Sequence, residues 1–89
     1  MAMTKRWSVD LYIDEIDGRT YAEARLHTSD DTHLIGIGRA RLNPTDDDIP
    51  EIGDELAVAR ALTDLGHRLL LAAAGDIEVV THAPARLHR

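Results

Sequence analysis

Three sets of side chains have types and spacings that bear on chemistry: five histidines, an arginine row interleaved with tyrosines, and a run of acids. His27, His33, His67, His82 and His88 are the groups that titrate near neutrality. No two stand four apart and no HExxH occurs, which excludes a zinc-protease site. His27 and His33 flank a turn and can converge, but no third ligand lies near them, and two solvated turn histidines account for the pair. Asp46, Asp47, Asp48, Glu51, Asp54 and Glu55 follow one another without a base. They lack the glycine and distal glutamate of a calcium loop and suit a solvated, helix-capping linker. The segment from Gly36 through Gly38 to Arg41 resembles a dinucleotide fingerprint, yet Arg41 stands where its third glycine belongs and the run has a strand pattern. No serine or threonine sits in a GxSxG or SxxK setting. With no cysteine, thiol nucleophiles, thiolate zinc sites and disulfides are excluded as well. No catalytic residue, metal or cofactor is expected, and an enzyme is the weaker class.

The arginines are the one basic group that folding can assemble. Arg25, Arg39 and Arg41, with Arg19 toward a turn, fall on the same side of an alternating pattern as Tyr12 and Tyr21. Guanidinium groups beside aromatic rings are what single-stranded RNA readers use. Asp10, Asp14 and Glu23 share that side and offset much of its field, so cross-strand ion pairs are the competing role. Overall the chain has 89 residues, 16 acids against 10 bases, and a formal charge of −6. Residues 1–42 hold six bases and seven acids, residues 43–89 four bases and nine acids, so nearly all the imbalance lies in the second half. Such a balance argues against a surface that is basic throughout.

Positioning these groups requires a sheet. Trp7, Val9, Leu11 and Ile13 alternate with Ser8, Asp10, Tyr12 and Asp14, the period of a strand with one wet face. Asp17-Gly18 suits a tight hairpin turn. A second strand follows over about 19–28, and after the turn-forming cluster 28–32 a third runs over about 33–42; the first spans about 7–17. Asn43-Pro44 ends the third strand. From 51 to 74, Ile52, Leu56, Ala59, Leu62, Leu65 or Gly66, Leu69 and Ala73 recur at helical spacing, with Arg60, Asp64 and Arg68 four apart on the polar side. Asp48 or Gly53 can cap this helix, and Gly75 can stop it. Residues 76–81 suit a short strand or further helical turns, and the tail from His82 is expected to fray.

The expected fold is therefore α+β, an antiparallel three-stranded meander with one long helix on one face, in a single domain spanning 1–89. Trp7, Val9, Leu11, Ile13 and Leu26 are the core choices, and the small row Gly36, Gly38, Ala40 lets a helix backbone approach, with Ala59 and Gly66 near its facing side. That assignment leaves Ile35 and Ile37 on the opposite face among tyrosines and arginines, an interface-like mixture. A chain this short buries only about 60–65% of its unfolded surface. A homodimer is accordingly expected, through the exposed face with Ile35 and Ile37 or through the edge of the first or third strand. No apolar run is long enough to span a bilayer and MAMTKRW lacks a signal core, so a cytoplasmic protein without membrane contact is expected.

The segments Trp7–Glu15, Ala24–Leu26, Gly36–Pro44 and Ile52–Leu65, with Thr81-His82, resemble the small actinobacterial proteins of domain-of-unknown-function family 1876, over almost the whole chain. The resemblance implies a dsRBD-like fold, dimer formation and a place among dormancy- or hypoxia-induced proteins, with a likeness to ribosome hibernation factors. Taken together with the arginine-tyrosine face, it points to a non-enzymatic stress or dormancy protein that binds a macromolecule, the ribosome first, with Arg25, Arg39, Arg41, Tyr12 and Tyr21 of that face as the candidate contacts. The alternative is an interaction or structural module without nucleic-acid contact. Double-stranded RNA binding by the usual surface is disfavoured, because Asp54 and Glu55 stand where phosphate-binding lysines belong.

Overall fold

The computed structural model describes residues 2–29, 33–41 and 49–81. They form β1 (Ser8–Ile16), β2 (Arg19–His27), β3 (Ile35–Arg41) and α1 (Pro50–Thr81), with the strands antiparallel in the order β1-β2-β3. Asp17 and Gly18 both take positive φ, 51° and 72°, and join Ile16 to Arg19 in a two-residue turn whose twist matches that of the strands. The meander expected from the alternating pattern is thus formed, within a residue or two at each strand end. Asp48, one of the two cap candidates, the acidic linker before it, Leu42 and the tail from His82 lie outside the described residues.

The register fixes the two faces. Val9, Leu11 and Ile13 pair with Leu26, Ala24 and Ala22, and Ala24 and Ala22 pair with Gly36 and Gly38. These side chains, or their absence, face the helix. A Cβ added at Gly38 would lie 2.1 Å from the Ala57 carbonyl oxygen and 2.3 Å from the Ala61 nitrogen; at Gly36 it would lie 2.3 Å from the Ala61 oxygen. Backbone therefore packs on backbone, with only Ala57, Ala61 and Leu65 buried on the helix side. Ala59 and Gly66, expected near this contact, are exposed. The seam instead runs i, i+4, i+8 through the smallest residues, because a glycine row admits a helix only along its alanine stripe.

This close approach has a consequence for β1. A helix about 10 Å across spans roughly two strands set about 4.8 Å apart, and α1 lies over β2 and β3 while scarcely reaching β1. The row expected to form the core remains half exposed: Trp7 54%, Val9 40%, Leu11 44%, Ile13 44%. The buried core consists of Ala22, Ala24, Leu26, Ala40, Ala57, Ala61 and Leu65. Leu26 belongs to it as expected.

Pro50 opens α1, where its missing N–H leaves no donor unsatisfied, and the Ile52 N–H donates to the Ile49 carbonyl at 3.1 Å. Gly53 is inside the helix against Thr20 and does not cap it. Gly75 does not stop it either, since among the described glycines only Gly18 has positive φ, and 76–81 continue as helix. Leu71, Ile77, Val79 and Val80 are exposed on this last stretch. Gly66, with open space around its Cα, carries only the entropic cost of glycine in a helix. Gly66→Ala is expected to raise stability by about 0.5–1 kcal/mol, read as an upward shift of the thermal midpoint; a lower midpoint would mean that something packs there.

Candidate functional site

The outer sheet face carries the arginines and tyrosines, and the structure sorts them into engaged and open groups. Arg25 donates to Glu23 Oε2 from Nε at 3.0 Å and from Nη2 at 2.8 Å, and its Cζ lies 4.1 Å from the centre of the Tyr12 ring. The Tyr21 hydroxyl donates to Glu23 Oε1 at 2.8 Å. Both carboxylate oxygens of Glu23 are thus occupied. Its carboxyl is held below its ordinary range by the Arg25 hydrogen bonds first and Tyr21 second. The Tyr21 hydroxyl is pushed up, chiefly by its hydrogen bond to that carboxylate, and Arg25 is held more firmly protonated by the same partner. Tyr12, Glu23, Arg25 and Tyr21 form one laced unit. Arg25 therefore does not project freely from the sheet as the sequence pattern suggests. The carboxylate two positions away on the same strand and face claims it.

Arg39 and Arg41 stand differently. Arg39 sits over Tyr21 at 5.4 Å, and neither Arg41 nor its cross-strand partner Arg19 has an ion pair among the described residues. Ile35 is exposed and Ile37 half-buried on this face, opposite Arg25 and Glu23. At the other end of the sheet His27 Nε2 lies 2.9 Å from Asp10 Oδ2, and the His27 and His33 rings meet edge-on at 6.3 Å. The two histidines do converge. No group of three metal-ligating side chains occurs among the described residues.

The free edge of β3 is taken up by the helix. The Ile37 N–H donates to Asp64 Oδ2 at 2.8 Å, and Arg60 Nη1 donates to the Arg39 carbonyl at 2.7 Å. Arg68 Nε holds Asp64 in place at 2.9 Å. Spacing by four marked Arg60, Asp64 and Arg68 only as helix-surface partners. A bond from Asp64 to a backbone 27 residues away leaves no local signal. On β1, by contrast, Val9, Leu11, Ile13 and Glu15 direct their N–H and C=O groups to an open edge. This follows from alternation along antiparallel strands once Leu26 is seen to bond Leu34 on the β3 side.

Asp64 also sets a pH dependence. Its carboxyl lies below its ordinary range, first because it accepts the Ile37 N–H and second because of Arg68. A depressed native pKa stabilises above the unfolded value of about 3.9 and the contribution is lost as pH falls through the native value. Asp64→Asn should therefore lower the thermal midpoint most near neutrality and converge on the wild type at low pH. A midpoint difference that stays constant from neutrality to acid would refute this role.

A model of the Rv2632c-like family matches residues 5–86. An uncharacterised protein of Mycobacterium bovis, Mb1767, is 58% identical over 83 residues, covering 93% of this chain and 87% of its own. The uncharacterised protein Rv2632c of Mycobacterium tuberculosis is 46% identical over 80 residues, covering 90% and 85%. The crystal structure of Rv2632c superimposes with a TM-score of 0.83 at 44% identity, over 93% of this chain and 98% of that one.

Proposed function

This chain belongs to the Rv2632c-like family, and from that footing we propose that it performs no chemistry of its own and acts as a homodimeric binding module joined through β1. One observation carries the reading: the large hydrocarbon side chains are outside while the core is mostly alanine. Val9, Leu11 and Ile13 are each at least 40% exposed, and among the described residues no large side chain is fully buried. On the helix, Arg60 and Asp64 turn to the β3 edge, so helical spacing places Val58, Leu62 and Leu69 on the flank toward β1. A long open edge beside an apolar row is a template for pairing with another strand. β3 offers no such template, because Asp64 and Arg60 already occupy it.

Antiparallel pairing of β1 with its counterpart yields a six-stranded sheet and sets the two apolar rows side by side. The exposed chains on the helix end supply further surface for the second copy. Light scattering in solution tests this: a mass of twice 9.8 kDa is expected, and a monomer at every attainable concentration would refute it.

The second reading is a stress- or dormancy-associated protein acting at the ribosome. What supports it is that, among the described residues, Arg19, Arg39 and Arg41 are not paired with carboxylates on the outer face, which stays accessible in a β1-joined dimer. The network around Glu23 supports instead a purely structural role for Arg25 and the two tyrosines.

A further inference from the structure

Arg19 and Arg41 face each other across β2 and β3 in direct register, two like charges where a cross-strand pair ordinarily gains from opposite ones. Arg39 lies one pair further along the same face, and Arg60 reaches round the β3 edge to bond its carbonyl. The four arginines line one open groove of about 1140 Å³ at the hairpin end of the sheet, together with Asp14 and Asp17. Neither of these carboxylates forms an ion pair with an arginine there. Among the described residues, four positive and two negative groups line this groove and make it cationic, on a chain whose formal charge is −6.

We propose that Arg19, Arg39, Arg41 and Arg60 form a site for phosphate groups. The planar, five-donor guanidinium matches a phosphate in paired hydrogen bonds, and a multivalent anion between Arg19 and Arg41 relieves their repulsion. Arg60 is held by the Arg39 carbonyl and Arg39 by the Tyr21 ring, so part of the ordering is complete before a ligand arrives. The groove is open rather than enclosed, as suits a phosphodiester chain or a free oligophosphate lying along it. Arg25 has no part in the site, since Glu23 and Tyr12 engage it. The inference deepens the ribosome reading but stands on its own geometry.

Nitrogen-15 spectra of the full chain, including the arginine Nε–H signals, test it with pyrophosphate and with a single-stranded oligouridine as probes. Saturable shifts at Arg19, Arg39 and Arg41 are expected at low salt. They should weaken at least tenfold in Arg19→Gln/Arg41→Gln and stay within twofold in Arg25→Gln, with circular dichroism confirming that both variants fold. Tighter binding of the oligouridine assigns the phosphates to a nucleic-acid backbone; tighter binding of pyrophosphate assigns them to a free ligand. The absence of saturable shifts with both probes, or equal loss in Arg25→Gln, would overturn the site. Sedimentation with ribosomes separates the two claims. Pyrophosphate binding without co-sedimentation keeps the site and removes the ribosome reading. Co-sedimentation lost only in Arg25→Gln keeps that reading and removes the site.

Discussion

Gly38→Val is expected to abolish the cooperative fold, the largest effect of any single substitution considered. The first added carbon would meet the Ala57 carbonyl oxygen at 2.1 Å, the Ala61 nitrogen at 2.3 Å and the Arg60 carbonyl carbon at 2.9 Å. All three are helix backbone, so no side-chain rotation relieves the clash. The helix must lift from β3, and lifting it uncovers Ala22, Ala24, Ala57 and Ala61, which make up most of the core. Overpacking ordinarily costs about 1–3 kcal/mol. Here the displaced element is the whole second layer, and a domain of this size has only about 4–13 kcal/mol to lose. Thermal unfolding followed by circular dichroism should show no sigmoidal transition for Gly38→Val. Gly36→Ala should be severely destabilised for the same reason, with the Ala61 oxygen 2.3 Å from its added carbon. A Gly38→Val protein that melts like the wild type would mean that helix and sheet do not meet at this seam.

The second large effect concerns assembly. Leu11→Lys places a charge at the middle of the apolar row of β1, at a position 44% exposed in the single chain. In one copy the ammonium reaches water and the fold survives. In the proposed dimer it is desolvated within the apolar seam, so the dimer constant should weaken by at least a hundredfold, about 2.7 kcal/mol. Ile37→Glu acts on the other face, where dimerisation through Ile35 and Ile37 would put the seam, and should leave the mass unchanged. Light scattering on the two variants decides between the seams. A Leu11→Lys protein that keeps the wild-type mass, or an Ile37→Glu protein that alone becomes monomeric, would move the interface off β1.

The arginines show where a pattern in the chain stops being informative. Period two placed Arg25, Arg39 and Arg41 on the face of Tyr12 and Tyr21, and the register places them there. The pattern also noted Glu23 as a neighbour, but alternation does not say which guanidinium a carboxylate takes. Arg25, two residues away on the same strand, captures it, while Arg39 across the sheet stacks on Tyr21 and Arg41 faces Arg19. The cationic group consequently centres on the hairpin end and includes Arg60, which helical spacing had assigned to the helix surface.

Strand period, the Asp17-Gly18 turn, the glycine row and the helix were all legible in the residues, because each rests on neighbours within a few positions or on one repeated spacing. Which strands the helix covers was not. That placement follows from how near Ala57 and Ala61 come to Gly36 and Gly38, contacts about twenty residues apart along the chain. Once the helix settles there, β1 lies beyond its width, Asp64 reaches the Ile37 amide, and one edge of the sheet closes while the other stays open. Local order sets the direction in which each side chain points. Only packing between distant segments decides what it meets.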